Sequence, residues 1–231
     1  MSQRADSRNE LDTMVVNVEL TLSSIIQGVA LSFLAENAKD VLTAGHAAAW
    51  PYVIAGLLII LLFWVRSLVH TLTLMRWPLE LGHNCLYIGA ALVEVLGFTC
   101  LTSPFRWFAL AALFAFCVWL IFLYDLKMIR MRLADSSTAS SRRLYEEVLR
   151  DQQLNIRFVI PAIFVFELSA ALLIRTNPDF FLARNGHLLL IASAVLGLLI
   201  YLGLIIRSFI HMTPLIAETR ADWRSESQTP A

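Results

Sequence analysis

The chain has 231 residues, of which 58% are hydrophobic and 16% are charged, and its mean hydropathy is +0.68. A soluble globule of this size needs more polar side chains to cover its surface, so the composition excludes that class and predicts a membrane protein. The 18 basic and 18 acidic residues cancel to a net formal charge of zero, and there is no separate basic domain, which argues against a nucleic-acid partner.

The chain opens on a polar stretch that is followed by a segment of membrane-spanning length. Residues 1–13 mix both charge signs and are predicted to form a polar N-terminal arm rather than a signal peptide. The segment "VELTLSSIIQGVALSFLAE", residues 18–36, is apolar enough to enter a bilayer, although it carries several small polar groups. We expect residues 14–35 to cross the membrane as the first span.

Five further windows have the length and hydropathy of transmembrane helices. Each comes close to the ~20 apolar residues that a helix needs to cross a hydrocarbon layer of ~30 Å. Lipid offers no partners to backbone amides, so spans are helices or closed barrels, and these runs are too long and too uniformly apolar for barrel strands. The sequence therefore predicts an all-α polytopic membrane helix bundle with about six transmembrane helices. The windows are "PYVIAGLLIILLFWV", "CLYIGAALVEVLGFTCL", "FALAALFAFCVWLIFLY", "FVIPAIFVFELSAALLI" and "LLLIASAVLGLLIYLGLII".

The distribution of positive charge predicts the orientation of the bundle. Six spans with a cytoplasmic N-terminus place 14 of the 18 Lys and Arg residues inside, in agreement with the positive-inside rule. If the first segment did not cross, 12 would lie inside, and the C-terminus stays cytoplasmic in both cases. We predict a transmembrane domain over residues 14–212, with a cytoplasmic helical loop at about 126–157 and a polar C-terminal tail over 213–231.

The first span carries small polar residues on one helical face. Ser24, Gly28 and Ser32 recur every four residues, and such a ladder lets helix backbones approach closely. One interpretation is a tightly packed helix seam. The other is that several copies of the chain gather around an axis, so that this face lines a water-filled path with Val29, Leu31 or Phe33 as an apolar constriction. The residues predicted to line the pore are Ser24, Gly28, Val29, Leu31 and Ser32.

Two glutamates lie at membrane depth. On the third span, Glu80, His83, Tyr87 and Glu94 share one face, and Glu167 lies at a comparable depth in the fifth span. A lone charge at the bilayer centre costs roughly 2.5 to 3.5 kcal/mol on insertion scales, so each acid is a functional candidate. Together these groups are candidates for a proton or cation relay.

An alternative accounts for the two acids without transport. Each carboxyl group is then protonated, or hydrogen-bonded to a backbone carbonyl or to the hydroxyl of Thr99 or Ser169, inside a packed bundle. Both interpretations place the acids away from the lipid.

Arg66 and His70 share a face near the end of the second span. We expect them to reach toward lipid headgroups, or to pair with Glu80 across the short connection. A bis-histidine haem held by His70 and His83 is an alternative, although isolated histidines at helix ends are commoner as surface groups. The three cysteines form no C-x-x-C, and the chain has no nucleotide-binding or catalytic motif. The sequence therefore predicts no enzyme, no catalytic residues, no metal site and no cofactor.

The longest connection contains a helical pattern, "RRLYEEVLRDQQLNIR". Glu146 with Arg150, and Leu144 with Val148, are spaced at i, i+4. We expect this helix to run into the fifth span, with Pro161 kinking it near the inner surface.

The segment "LSSIIQGVALSFLAE", residues 22–36, resembles the first helix of the bacterial relatives of the lysosomal potassium channel family. Leu22, Ser23 and Ser24 stand where that family has Phe, Ser and Asp. The stretches "FWVRSLVHTL" and "HNCLYIGAAL" resemble its second and third helices. The resemblance implies a homotetramer in the bacterial inner membrane whose first helices surround a potassium-permeable pore. It also implies Val29 as the constriction, and the chain has no T-V-G-Y-G-like filter.

Three hypotheses follow from the sequence. The first is a homo-oligomeric, potassium-type cation channel lined by the first span, with membrane lipid, monovalent cations and further copies of the chain as partners. The second is a proton- or ion-coupled carrier of a small solute that uses Glu94 and Glu167. The third is a non-transporting membrane scaffold that presents the helix of residues 142–157 to a cytoplasmic partner.

Overall fold

The computed structural model describes residues 2–74, 81–136 and 138–228, and in these ranges the chain forms seven α-helices and no strand. A short 3₁₀ turn, Ala47–Ala49, precedes α2, and two wide turns with the hydrogen bonding of a π-helix, Asn155–Val159 and Asp179–Ala183, flank α6. The helices are α1 Ser2–Thr43, α2 Trp50–Leu74, α3 Leu81–Phe98, α4 Pro104–Ala134, α5 Ala139–Leu154, α6 Ile160–Thr176 and α7 His187–Gln228.

Among the described residues, six helical segments are long and apolar enough to cross a membrane, which confirms the predicted class of polytopic helical bundle. The first of them includes the segment with small polar groups, and the fifth joins α5 to α6. The orientation of the bundle in the membrane stays a prediction. The segments are Met14–Thr43, Ala47–Thr71, Leu81–Phe98, Pro104–Ala134, Ala139–Thr176 and His187–Asp222.

The expected continuity between the connecting helix and the fifth span is present. The chain remains helical from Ala139 to Thr176, with the wide turn Asn155–Val159 in the middle. At that turn the N–H group of Ile160 donates to the carbonyl of Asn155, five residues earlier. Pro161 follows directly and has no N–H group to donate, so the departure from regular α-helical bonding lies at the proline, as the sequence predicts.

Two helices continue past the predicted limits of the transmembrane domain, and those limits stay a prediction. The loop is predicted to begin at about residue 126 and the tail at 213, while α4 continues to Ala134 and α7 to Gln228. The cause is an apolar stripe that continues beyond the hydropathy windows and packs against α5. The polar residues on the other faces of these turns lower the average hydropathy, so a window misses the stripe. The buried residues of this cluster are Val69, Ile129, Leu144, Tyr145, Val148, Met212 and Ile216.

The helices form a bundle in which α4 is the most central. It packs against α3, α5 and α6, while α2 packs against α1 and α7, and α1 also contacts α3. The backbone of α1 is helical from Ser2, so residues 2–13, predicted as a polar arm, extend the first helix.

One end of the bundle, which we call the apolar end, is filled by aromatic and aliphatic side chains. It gathers the end of α1, the start of α2, the turn between α3 and α4, and the α6–α7 connection. Tyr52 contacts Trp107 and Phe108 edge to face, with ring centroids 5.6 Å and 6.2 Å apart. Such contacts stabilise a helix interface through packing, which matters in a bilayer because lipid is as apolar as the side chains.

Candidate functional site

The other end of the bundle, which we call the polar end, holds a cluster of two histidines and an aspartate. His70 comes from α2, His83 from α3 and Asp125 from α4, so three helices meet here. Nδ1 of His83 lies 2.9 Å from one carboxylate oxygen of Asp125, and Nδ1 of His70 lies 3.3 Å from the other. The imidazole rings are stacked in parallel with centroids 4.2 Å apart, and all three side chains are at least nine-tenths buried.

This arrangement corrects two expectations about the histidines. Neither His70 nor His83 is a surface group, because both rings are enclosed between helices. Nor do they suit a bis-histidine haem, whose axial ligands approach the iron from opposite sides of the macrocycle. Two rings stacked at 4.2 Å leave no room for a porphyrin between them.

Arg66 is buried in the same region and is tied to α5. Its guanidinium donates to the carboxylate of Asp151 at 2.8 Å and to the side chain of Gln152 at 3.4 Å, and it lies over the ring of Phe122. The expectation that Arg66 reaches toward headgroups is therefore wrong, because its side chain is only 12% exposed and its charge is offset inside the protein. Glu80, the other suggested partner, lies outside the described residues.

The carboxylate that holds Arg66 belongs to a longer network. Asn155 donates to Asp151 at 3.2 Å, and the hydroxyl of Tyr201 on α7 donates to Asn155 at 2.6 Å. These contacts join α2, α5, the wide turn before α6, and α7. They hold the connecting helix α5 against the spans through charged and polar groups as well as through its apolar face.

A second row of polar side chains runs between α1, α2 and α3. The hydroxyl of Ser23 lies 2.6 Å from that of Ser67 and 2.9 Å from that of Tyr87. The amide of Gln27 donates to Tyr87 and to Glu94, at 3.4 Å each. The row therefore leads from α2 across α1 and along α3 to the buried acid Glu94.

Part of this row adjoins a cavity of ≈ 100 Å³ inside the bundle. A cavity of this size has room for several water molecules. Its wall is mostly hydrocarbon, but charged, imidazole and hydroxyl groups from five helices lie along it. These polar groups are Arg66, Ser67, His70, His83, Tyr87, Asp125, Glu167 and Tyr201.

The two intramembrane acids are both buried, as expected, and neither has a full set of partners among the described residues. One oxygen of Glu94 accepts from Gln27 and the other accepts no hydrogen bond, while Oε2 of Glu167 is also without a partner in this part of the chain. The hydroxyl of Thr99 donates instead to the carbonyl of Leu96, and Ser169 is exposed, so neither hydroxyl fills the role suggested from the sequence.

The residues predicted to line a pore lie on the outer face of α1. Ser24, Gly28, Val29, Leu31 and Ser32 are all exposed in the single chain, Val29 at 49% and Leu31 at 46%. The hydroxyl of Ser32 donates to the carbonyl of Gly28 on the same helix. No packed seam between this face and another helix of the same chain is therefore present in the described residues. Its role in an assembly of several copies stays a prediction.

Sequence reasoning missed two groups of buried polar residues. The first group is Glu19, Ser23 and Gln27, which recur every four residues on α1 and share a helical face with the buried Ala30 and Leu34. These two apolar residues are the sequence signal that marks the face as inward.

Asp125 was assigned to the edge of a loop because charged residues follow it. Helical periodicity could have shown that Asp125 is buried. It falls on the same face of α4 as Phe122, Met128 and Ile129, which are all buried.

Only one face of α5 is exposed to the partner that the scaffold hypothesis requires. Leu144, Tyr145 and Val148 pack on α4 and α7, while Arg142, Arg143, Glu146 and Arg150 are exposed. A partner of this helix would meet only that charged face.

No protein-family model, no curated protein and no solved structure matches this chain. The resemblance to the potassium channel family therefore stays a prediction. What the fold establishes is a membrane-spanning helical bundle with a polar interior, which is compatible with a channel or a transporter.

Proposed function

We propose that the protein is a carrier that moves protons or small cations through the polar interior of a single chain. The observation that carries this proposal is the cavity inside the bundle, whose wall holds the charged groups Arg66, Asp125 and Glu167 and two histidines within the candidate spans. Ionisable groups at this depth are costly and mark ion pathways or proton relays in membrane proteins. A bundle that only anchors a cytoplasmic helix has no need of them.

Glu94 and Glu167 are the groups expected to bind and release the transported ion. Each is buried and each keeps a carboxyl oxygen without a hydrogen-bond partner in the described part of the chain. An unpaired buried oxygen is unfavourable unless a proton, a water molecule or a cation completes its bonding. The two acids therefore have the chemistry of sites that are filled and emptied in turn.

The test is ion flux into liposomes that contain the purified protein and a pH-sensitive dye. A proton gradient is imposed with potassium, sodium or a divalent cation on the opposite side. We expect flux above that of empty liposomes with at least one of these ions, and Glu94→Gln should abolish it because the amide cannot take up or release a proton.

The matched control is Glu36→Gln, since Glu36 is exposed on α1 and has the same side chain. Flux should be unchanged in this variant. Equal flux in Glu94→Gln and the wild type, or no flux with any of these ions, would contradict the carrier.

A channel lined by α1 is the second candidate, and the exposure of its predicted pore-lining face favours it. A face that lines a pore between copies has to be free in each copy, and nothing lies within 4 Å of the position that a Cβ atom would take at Gly28. Single-channel recordings test this candidate. Val29→Asn should raise the conductance and Val29→Ala should alter it less. If ions pass instead through the polar interior of each chain, neither substitution should change ion flux.

A further inference from the structure

We propose that His70, His83 and Asp125 form a binding site for a divalent transition-metal ion. The proposal concerns binding alone and goes beyond the carrier function, because an ion held at this site is either transported or retained. It also departs from the sequence, whose histidine spacing predicts no metal ligand.

The positions of the donor atoms support the site. One ligand atom from each residue lies within 4.8 Å of the other two. Two ligands at ~2.1 Å from one metal ion are separated by at most ~4.2 Å, so the cluster closes around an ion through shifts of less than about 1 Å. Such shifts are within the reach of small side-chain rotations. The three residues come from three packed helices, which hold them more firmly than a loop would.

The charge at the site also calls for a cation. Asp125 is buried, and a carboxylate in an apolar bundle requires a positive charge close by. Arg66, the arginine of the cavity wall, is already paired with Asp151 at 2.8 Å. Among the described residues that line the cavity, the remaining sources are a proton on one of the histidines or a bound metal ion. A divalent ion bound by two neutral imidazoles offsets the negative charge of the carboxylate without placing a charge on either ring, and it leaves a net charge of +1 at the site.

The ligand types select the class of metal. Two imidazole nitrogens and one carboxylate oxygen suit zinc, cobalt, manganese, iron and nickel, whereas calcium and magnesium prefer oxygen ligands throughout. All three residues line the cavity of ≈ 100 Å³. Coordination positions of the ion that no protein ligand fills are therefore directed into a space with room for water. The site is therefore of the open kind, with exchangeable ligands.

The orientation of one histidine is not locked by its second nitrogen. Nε2 of His70 is buried and has no hydrogen-bond partner among the described residues. In metal sites this outer nitrogen usually donates to a fixed group, which sets the ring orientation. Among the described residues, the small rotation of the His70 ring that a bound ion requires therefore breaks no hydrogen bond at Nε2.

The experiment uses full-length protein in detergent, produced without a histidine tag and stripped of metal with a chelator. Cobalt(II) is added and its visible d–d absorption is recorded, and zinc(II) binding is measured by calorimetry. We expect one ion per chain. His70→Gln and Asp125→Asn should each weaken binding at least about 10-fold, because changes outside the ligand shell already cost that much in known sites.

His187→Gln is the matched control, because His187 is a buried histidine that contacts Tyr52 at the apolar end. Its metal affinity should equal that of the wild type. Melting curves in detergent identify any variant that fails to fold, and His83→Gln then replaces it. Coordination by two imidazoles is checked independently by X-ray absorption spectroscopy of the cobalt-loaded wild type.

Two outcomes would overturn the proposal. One is a stripped wild type that binds neither cobalt(II) nor zinc(II), in which case a proton neutralises Asp125. The other is equal affinity in the wild type, His70→Gln and Asp125→Asn. Neither measurement involves flux, so failure of the metal site and failure of the carrier function are separate results.

Discussion

The two ends of the bundle are stabilised by different interactions. At the apolar end Tyr52, Phe98, Trp107 and Phe108 fill the space between helices, and the polar contact there joins the hydroxyl of Tyr52 to His187 at 2.9 Å. At the polar end the helices are joined by ion pairs and hydrogen bonds around a cavity. The first end has the properties of a packed seal, and the second has those of a binding site.

This contrast separates stability from activity in the two halves of the same fold. A packed apolar region tolerates no void and offers no exchangeable group. A polar region with a cavity accepts water and ions, at the cost of having to satisfy every buried charge. Substitutions in the two regions should therefore differ in what they change, and three comparisons test this.

The largest effect is expected from Arg66→Met at the polar end. The substitution leaves Asp151 without its partner, and breaking a buried ion pair in this way costs about 3 kcal/mol. Because Asp151 is 24% exposed, water offsets part of that cost and about 2 kcal/mol is expected. The measurement is the free energy of unfolding in mixed micelles of increasing denaturing detergent.

The control for Arg66→Met is the double variant Arg66→Met with Asp151→Leu, which removes both charges. It should recover part of the lost stability, because no unpaired charge remains. A double variant as unstable as Arg66→Met alone would show that the charges are not what joins α2 to α5.

A smaller effect is expected from Phe108→Ala at the apolar end. The side chain is fully buried, and its loss leaves a cavity. In lipid the transfer term is small, so the remaining packing term is about 1 to 2 kcal/mol. Phe108→Leu should cost less than half of this in the same assay. Ion flux per folded molecule should be unchanged in both variants. A loss of flux without a loss of stability would contradict the assignment of activity to the polar end alone.

The smallest effect separates the two faces of α1 through adjacent serines. Ser23 is buried and contacts the hydroxyls of Ser67 and Tyr87, whereas Ser24 is exposed. Ser23→Ala should cost about 1 kcal/mol or more, because it removes two hydrogen bonds and leaves the hydroxyls of Ser67 and Tyr87 short of a partner. Ser24→Ala should change stability by less than about 0.5 kcal/mol. Equal costs in the unfolding assay would contradict the assignment of the inward face.

The sequence was sufficient for the six apolar helical segments, for the continuity of α5 with α6, and for the burial of Glu94 and Glu167. Hydropathy and helical periodicity report these features because each depends on residues close together in the chain. The sequence predicts a kink at Pro161, whereas the wide turn Asn155–Val159 that precedes this proline was not predicted.

The partners of the buried polar residues were not predictable in this way. Ala30 and Leu34 mark the inward face of α1, but only the packed structure shows that Ser23 meets α2 and that Gln27 meets α3. Asp125 meets His70 and His83 across 55 and 42 positions of the chain, and no spacing rule links residues on three separate helices.

The unbroken helical run from α5 to α6 has a consequence for coupling. Ala139–Thr176 contains the wide turn Asn155–Val159, and Glu167 lies beyond that turn. Because Asn155 accepts a hydrogen bond from the hydroxyl of Tyr201, the turn joins α5, the helix that carries Glu167, and α7 at a single residue.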